Sequence, residues 1–190
     1  MMARKDRSAH RYVALLRAIN VGGHVVKMDR LRTEFAAMGF EDARTFIASG
    51  NVLFTASSDD TVALEHRIEQ RLEQALGYPV TTFLRSPAQL ATLVADEPYT
   101  DRLDTASLYV GFLKSPPPDE RRKRALALKS EVDEVCVRDR EIYWMCRTRS
   151  ADSALSGARL EKTLATPVTF RNVSTVRKLA VLATMDARIA

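Results

Sequence analysis

The chain is poor in the residues that most often carry metal, redox or nucleophilic chemistry. It has only two cysteines and three histidines among its 190 residues. Two cysteines are too few for a disulfide framework, and a chain of this kind is typical of a reducing cytoplasm. Because His10, His24 and His66 have no ligand spacing among them, we expect no metal site. The glycine-rich nucleotide loops and the serine nucleophile elbow are absent too, so no cofactor is expected.

Long apolar segments are also missing. No stretch approaches the roughly 20 apolar residues that a membrane-spanning helix needs. The first residues are polar and basic with no apolar segment behind them, which is unlike a signal peptide. We therefore expect residues 1–10 to form a disordered basic tail, and we expect a cytoplasmic protein with no membrane partner.

Positive charge is in excess and is unevenly placed. The net charge is +5 and the isoelectric point is near 9.4. Residues 101–190 contain seventeen Lys and Arg against twelve Asp and Glu, whereas residues 11–100 contain nine against eleven. Part of the excess is the run from Arg121 to Arg124, at the start of a predicted helix. Such a run is more often a solvated helix face than a binding patch.

The first half of the chain predicts the order strand, helix, strand, strand, helix, strand, with one appended helix. Residues 12–19 are an apolar run typical of a buried strand. Residues 44–48 and 51–55 predict a hairpin with a two-residue turn at Ser49-Gly50. The next helix is expected to begin after Asp59 or Asp60 and to end at Gly77.

The second half repeats this order, with a predicted hairpin that turns at Asp139-Arg140, and the repeat is visible in the letters. Tyr12 to Arg17 matches Tyr109 to Lys114, and Arg71-Leu72-Glu73 matches Arg159-Leu160-Glu161 at an offset of 88. We therefore predict an α+β fold, made by tandem duplication of a ferredoxin-like βαββαβ unit with antiparallel sheets and helices on one face. The first repeat would cover residues 11–100 with its appended helix, and the second residues 105–190.

This topology brings three connections of the first repeat to one sheet edge. The edge would hold Asn20, Gly22, Gly23, the Ser49-Gly50-Asn51 turn and the corner at residues 77–79. Two glycines before a helix can present backbone N–H groups to an anion, and Lys27 could add charge. Alternatively, each glycine simply serves a turn that needs a positive φ. The second repeat has Ser115 and three prolines at this place, which indicates that only one copy was specialised.

Two other site types were considered from the residues. An RNA-recognition module needs exposed aromatic residues on its central strands, and the run Asn51-Val52-Leu53-Phe54 does not supply them. Single-strand stacking is therefore not favoured, although contact with nucleic-acid phosphates stays open. Ser49 could be a nucleophile only with a base beside it, and His24 is the candidate base.

Three long segments resemble the bacterial family known as domain of unknown function 1697. They are LLRAINVGGHVVKMDRLRTEFAAMGF, RTFIASGNVLF and EKTLATPVTFRNVSTVRKL. The resemblance implies no activity, because the family has none established. At Val173 members commonly carry Trp, so a ligand contact would be lost here if that Trp stacks on a ligand. The family pattern marks Asn20, Gly22, Gly23, Lys27, Met28, Ser49, Gly50 and Asn51 in the first repeat, and Arg171, Asn172, Thr175 and Lys178 in the second.

The marked residues of the second repeat lie where a strand enters the last helix. Ser174, where Asn is common in the family, is the expected N-cap, and Thr175 and Lys178 share a helix face. A helix N-terminus flanked by Arg and Lys suits an anion. The alternative is that Arg171 and Asn172 tie the repeats together by hydrogen bonds to backbone carbonyls.

Our leading functional hypothesis is binding of an anionic, phosphate-bearing ligand, either a small molecule or a nucleic acid. The site would be a cleft between the repeats that joins the glycine-bearing edge to Arg171, Asn172, Thr175 and Lys178. One alternative is a small-molecule enzyme that uses the Ser49-Gly50-Asn51 edge, with catalytic residues unknown. Another is a homodimeric interaction protein with an exposed apolar sheet face.

Overall fold

The computed structural model describes residues 9–100 and 106–185, so the expected tail of residues 1–10 lies almost wholly outside the described residues. Each half of the chain forms the order strand, helix, strand, strand, helix, strand. In the first half the elements are β1 (His10–Leu16), α1 (Met28–Ala37), β2 (Glu41–Phe46), β3 (Asn51–Ala56), α2 (Thr61–Leu76) and β4 (Thr82–Arg85), followed by α3 (Pro87–Ala95). In the second they are β5 (Ser107–Phe112), α4 (Asp119–Leu126), β6 (Asp133–Arg138), β7 (Glu141–Cys146), α5 (Gly157–Leu164), β8 (Thr169–Asn172) and α6 (Val173–Met185).

Both sheets have four antiparallel strands in the same spatial order. That order is β2-β3-β1-β4 in the first sheet and β6-β7-β5-β8 in the second. The first strand of each copy therefore lies between the third and the fourth, as in a ferredoxin-like unit. The predicted α+β fold with a tandem duplication is confirmed.

The described chain divides into two compact units. The first unit contains residues 9–89 and 181–185, and the second contains residues 90–100 and 106–180. The division falls within α3 and within α6, whereas the sequence interpretation placed it between residues 100 and 105.

The core of the first unit lies between its sheet and its two main helices. Phe35 of α1 and Phe54 of β3 meet edge to face with ring centroids 5.2 Å apart. Ile68 and Leu72 of α2 are fully buried in the same cluster. The predicted ends of α2 are confirmed, because the Asp60 side chain accepts from the N–H of Ala63 and Gly77 ends the helix in the left-handed conformation.

The core of the second unit is built around Trp144 of β7. Its indole stacks on Tyr109 at 5.0 Å and meets Phe170 edge to face. The predicted turn at residues 139 and 140 is confirmed by the pairing of Arg138 with Glu141. Tyr143 and Trp144 are both buried, so neither offers a face for base stacking.

A buried carboxylate organises one end of this core. Asp133 accepts from the indole Nε1 of Trp144 at 2.8 Å, from the Ser153 hydroxyl at 2.7 Å and from the Ser130 hydroxyl at 3.0 Å. Burial alone would raise the pKa of Asp133, but the hydrogen bonds from Trp144, Ser153, Ser130 and Cys146 together lower it below its ordinary value. The carboxylate therefore stabilises the fold in its charged form.

The first hairpin differs from the sequence prediction. Phe46 pairs with Asn51 and Thr45 pairs with Val52, so the connection has four residues and not two. Ile47 leaves the strand with a φ of 50° and is half exposed, whereas the predicted register paired it with Val52 inside the sheet. Strand β2 also begins three residues earlier than predicted, at Glu41, and it contains a β-bulge between Glu41 and Arg44.

The outer edge of β4 is covered by acidic side chains from α2. Glu69 accepts from the backbone N–H of Thr82 at 2.8 Å, and Glu65 accepts from that of Leu84 at 2.9 Å. In the second unit Glu161 of α5 accepts from the N–H of Val168, directly before β8. These carboxylates satisfy edge N–H groups that would otherwise be open to another strand.

Candidate functional site

Residues with a positive φ are concentrated at the predicted edge of the first unit. In the β1–α1 loop, which we define as residues 17–27, a positive φ is found at Ala18, Asn20, Gly22 and Gly23. In the adjoining hairpin turn, residues 47–50, Ile47 and Gly50 also have a positive φ. A β-branched residue in this region costs about 1–3 kcal/mol, and such strain persists where the surrounding structure imposes it, often at a binding site.

The Asn20 side chain joins these two connections. Its Nδ2 donates to the carbonyl of Ala48 at 2.9 Å, in the hairpin turn. Its Oδ1 accepts from the N–H of Val26 at 2.7 Å, which closes the β1–α1 loop on itself. The topology argument is thus correct for this edge, because Asn20 and the hairpin turn meet. The amide is used fully in holding the edge together.

Gly50 and Asn51 also serve the turn itself. A Cβ at Gly50 would lie 2.9 Å from the Cβ of Ile19, so a larger residue would clash there. The φ of Gly50 is 71°, which also favours glycine over any other residue. Asn51 is fully buried, and its Nδ2 donates to the carbonyl of Phe46 and to the Ser49 hydroxyl. These two predicted site residues are therefore part of the scaffold of the edge.

The pairing that a nucleophilic Ser49 would need is not formed. The Ser49 hydroxyl accepts from Asn51 at 2.8 Å, while the His24 ring stacks on Tyr78. No hydrogen bond joins Ser49 to His24 in the described part of the chain.

A pocket of about 310 Å³ lies where α1 begins and α2 ends. It brings Lys27, a predicted site residue, together with Arg30 and Tyr78, which the sequence interpretation did not single out. The signal for Tyr78 was its place in the corner after Gly77, which the topology had already assigned to this edge. The pocket is lined by Val25, Val26, Lys27, Arg30, Ala75, Leu76 and Tyr78; we call it the Lys27 pocket.

The two cations of the Lys27 pocket differ in their ion pairs and hydrogen bonds. Lys27 occupies the N-cap position of α1, and no side chain caps the first turn of that helix. The Lys27 ammonium has no acidic partner within the described residues. Arg30 donates to the carbonyl of Ala75 at 2.5 Å and lies 3.9 Å from Glu34. The pocket thus has one unpaired cation and a second that is only partly neutralised.

Tyr78 contributes an unsatisfied hydroxyl. Its ring stacks on His24 with centroids 3.8 Å apart. Its hydroxyl oxygen is buried and has no hydrogen-bond partner in the described structure. Burial raises the pKa of Tyr78, so the phenol keeps its proton and is a hydrogen-bond donor. A buried hydroxyl without a partner costs about 1–3 kcal/mol.

Exposed apolar side chains flank the same connections. Val21 and Val25 of the β1–α1 loop and Ile47 of the hairpin turn are three of the six large hydrophobic residues that are exposed in the described chain. Val25 is 88% exposed and lines the Lys27 pocket. Single exposed apolar residues are ordinary, but these three lie on two adjoining connections, and we call them the apolar rim; Val25 is the member that lines the pocket with the cations.

The second unit has a different arrangement at the corresponding edge. No residue from 113 to 118 has a positive φ, and in the β6–β7 turn Asp139 alone has one. Three prolines restrict the backbone there, and a positive φ is not accessible to proline. This difference agrees with the expectation that the edge was specialised in one copy.

Four residues of the second unit were predicted to bind the ligand, and one of them, Arg171, is buried. It donates to the Thr169 hydroxyl and to the carbonyl of Phe170, both at 2.8 Å, and burial lowers its pKa to about 10. Asn172 and Lys178 are exposed and Thr175 is half-buried. Arg171 therefore bonds to its own strand and is not presented at the surface.

The expectation that Ser174 is the N-cap of the last helix is wrong. Helix α6 begins at Val173, and Oδ1 of Asn172 accepts from both the backbone N–H and the hydroxyl of Ser174. Asn172 thus caps the helix start, and Val173 is a buried packing position.

Across residues 9–100 and 106–185 no three His, Cys, Asp or Glu side chains come together as metal ligands. None of the helices within those ranges is both long and apolar enough to span a bilayer.

Comparison with known proteins places the chain in a family. The model of the family described as Protein of unknown function (DUF1697) matches residues 9–143. Among solved structures, the chain is similar to the conserved bacterial protein SP0830 from Streptococcus pneumoniae, with a TM-score of 0.73 and 24% identity over 93% of this chain and 99% of that one. That likeness concerns the fold. Comparison with curated proteins gives no match.

Proposed function

We propose that this chain, which belongs to the DUF1697 family, binds a small phosphate-bearing anion in the Lys27 pocket. The observation that carries the proposal is that Lys27, Arg30 and Tyr78, whose buried hydroxyl has no hydrogen-bond partner in the described structure, line one pocket. All of these groups belong to the first unit. The proposal therefore does not depend on Arg171, Asn172, Thr175 or Lys178.

The donors in and around the pocket match the oxygens of a phosphate group. Lys27 supplies an ammonium, and Arg30 keeps guanidinium N–H groups beyond the one given to Ala75. The first turn of α1 supplies backbone N–H groups that no side chain caps, at the positive end of the helix dipole. Charge-assisted hydrogen bonds of this kind are about twice as strong as neutral ones.

The rest of the ligand would lie on the apolar rim. Val25 and Leu76 line the pocket and offer apolar contact. A ligand with an organic part next to its phosphate would therefore bind more tightly than inorganic phosphate alone. Nucleoside phosphates and sugar phosphates both have this composition.

Thermal unfolding in the presence of candidate ligands tests the proposal. The panel is inorganic phosphate, pyrophosphate, nucleoside mono- and diphosphates and sugar phosphates, with sulfate and chloride as ionic-strength controls. A ligand at 100 times its Kd stabilises the folded state by about 2.7 kcal/mol, which raises Tm by several degrees. Calorimetric titration of any hit then gives the affinity.

Two pocket variants and one control make the test specific. Lys27→Gln removes the unpaired ammonium and Tyr78→Phe removes the hydroxyl, so each should weaken binding by about tenfold or more. Arg149→Gln removes an exposed cation that pairs with Asp152, and it should leave binding unchanged. Equal loss in Arg149→Gln and Lys27→Gln, or no stabilisation by any member of the panel, would overturn the proposal.

We also place the protein in the cytoplasm. Cys136 and Cys146 are both free thiols, with Cys136 partly exposed. A reducing compartment keeps such thiols unpaired.

A further inference from the structure

The helix layers of the two units differ sharply in charge. Helices α1 and α2 contain four Lys and Arg against five Asp and Glu, a balance of −1. Helices α4 and α5 contain six against three, a balance of +3. The two copies share one topology, so this difference belongs to their surfaces and not to the requirements of the fold.

The cations of the first helix layer are engaged within the unit. Arg71 lies 2.7 Å from Glu34, and Arg32 forms an ion pair with Asp29. The guanidinium of Arg67 lies over the ring of Phe40 and donates to a backbone carbonyl. These three of the four cations on α1 and α2 therefore have little charge left for a partner, and the fourth, Arg30, belongs to the Lys27 pocket.

The second helix layer leaves its cations available. Helix α4 packs against α5, and Arg122, Lys123, Arg124, Arg159 and Lys162 are exposed on the two helices. Within the described residues, Arg124 and Lys162 have neither an ion pair nor a hydrogen bond. We call the exposed residues of α4 and α5 the α4–α5 surface.

The remaining polar groups of this surface do little to neutralise it. Arg121 and Arg122 contact neutral backbone carbonyls at 3.5 and 3.3 Å, which leave the guanidinium charge in place. Glu161 is turned to the backbone N–H of Val168. The pair of Lys123 with Glu120 is about three-quarters solvent-exposed, with side-chain exposures of 73% and 75%, and such a pair contributes little.

The composition of the two helices narrows the kind of partner. Neither helix contains an aromatic residue, so the surface cannot stack on unpaired bases. Neither helix exposes a large hydrophobic residue, so it lacks the apolar anchors of a membrane-binding helix. A surface with many cations and without aromatic or apolar anchors suits a ligand that exposes many phosphates on its outside. The backbone of a nucleic-acid duplex is such a ligand.

We propose that the α4–α5 surface binds the phosphate backbone of a double-stranded nucleic acid without reading its sequence. This surface belongs to the second unit and is independent of the Lys27 pocket. Binding should be salt-dependent, because each phosphate neutralised by Lys or Arg releases counterions.

Fluorescence anisotropy with labelled 20-base-pair duplexes of two unrelated sequences tests the proposal. The surface variant is Arg124→Gln with Lys162→Gln. The matched control is Arg32→Gln with Arg149→Gln, which removes the same net charge from two ion-paired positions elsewhere. The slope of log K against log salt should fall by about 2 in the surface variant, since each contact contributes about 0.9. At 50 mM salt its affinity should be lower by roughly tenfold to a hundredfold.

Three results would count against the α4–α5 surface. Equal slopes in the surface and control variants would mean that net charge alone drives binding. Failure of the full chain to bind either duplex at 50 mM salt would exclude the interaction. Binding to phosphatidylserine vesicles but not to duplexes would assign the surface to a membrane. Matching Tm values for all proteins would show that both variants are folded.

Discussion

Arg85 and Arg171 occupy the same position in the two sheets. Arg85 lies opposite Val13 and Arg171 opposite Val110, and these valines are matched residues of the duplicated first strand. Each arginine is buried and donates to the carbonyl of the residue before it at 2.8 Å. A feature present in both copies belongs to the shared architecture, so Arg171 is explained without a ligand.

Replacing either arginine should reduce stability and leave the Lys27 pocket unaffected. Arg85→Ala and Arg171→Ala each leave buried carbonyl oxygens without their donor, which costs about 1–3 kcal/mol per group. Urea unfolding measures the loss. Arg171→Lys keeps the charge but not the paired hydrogen bonds, and it should be intermediate. A variant of Arg171 that keeps its stability and loses phosphate binding would instead make Arg171 a ligand residue.

Acid should selectively remove the contribution of Asp133. Its pKa is below the ordinary 3.8, so the carboxylate stabilises the fold at pH values above about 4. That stability is lost as the pH falls through the lower folded-state value. Asp133→Asn should therefore cost about 1.5–3 kcal/mol at pH 7, and the difference from the wild type should narrow below pH 4. Chemical unfolding at pH 7, 4 and 2.5 checks this; a constant difference would show that the ionised form has no special role.

Relieving the strained backbone at Ile47 should stabilise the protein. Ile47→Asn puts a residue that tolerates a positive φ at an exposed position, so the free energy of unfolding should rise by about 0.5–1 kcal/mol. Val62→Asn is the matched control, because Val62 is also exposed and β-branched but has no positive φ. Thermal unfolding compares the two. Equal shifts would mean that exposure, and not strain, governs the effect.

Opening the edge of β4 should promote association. Glu65→Ala with Glu69→Ala leaves the N–H groups of Thr82 and Leu84 without their present acceptors. We expect a loss of about 2–4 kcal/mol in unfolding free energy, from two unsatisfied groups. We also expect concentration-dependent oligomers in sedimentation. Glu65→Gln with Glu69→Gln keeps an acceptor oxygen at both positions and should stay close to the wild type.

The sequence predicted those parts of the fold that depend on local signals. The helix ends at Asp60 and Gly77 and the turn after Arg138 depend only on residues that are close in sequence. All three are predicted correctly. The first hairpin was placed wrongly because Ser49-Gly50 looks like a two-residue turn. Its real register is set by contacts distant in sequence, since Asn20 donates to Ala48 and Gly50 packs against Ile19.

The match of Arg85 with Arg171 shows a second limit of prediction from the sequence. The ungapped offset of 88 aligns helices α2 and α5, but the strand registers align at an offset of 86. The link between helix and strand therefore differs by two residues between the copies. Since a shift of two keeps every side chain on its own face of the strand, the hydrophobic pattern cannot reveal it.

The candidate site was predicted only in part. The predicted order of strands and helices brings the glycine-bearing loop, the hairpin turn and the corner near Tyr78 to one edge of the sheet. Lys27 was identified because a cation before a helix is visible in one sequence. Arg30 and Tyr78 were missed because their importance comes from a cavity between the ends of two helices, and no spacing rule describes such a cavity.

The glutamates along β4 have a consequence for how a duplicated chain is made. Two copies of one topology in a single polypeptide can exchange equivalent strands during synthesis, because the first copy emerges while the second is incomplete. Glu65 and Glu69 come from the helix directly before β4, so they can occupy its outer side as soon as that segment has left the ribosome. The β4 edge of a newly made first copy therefore has these N–H groups satisfied before the strands of the second copy are complete.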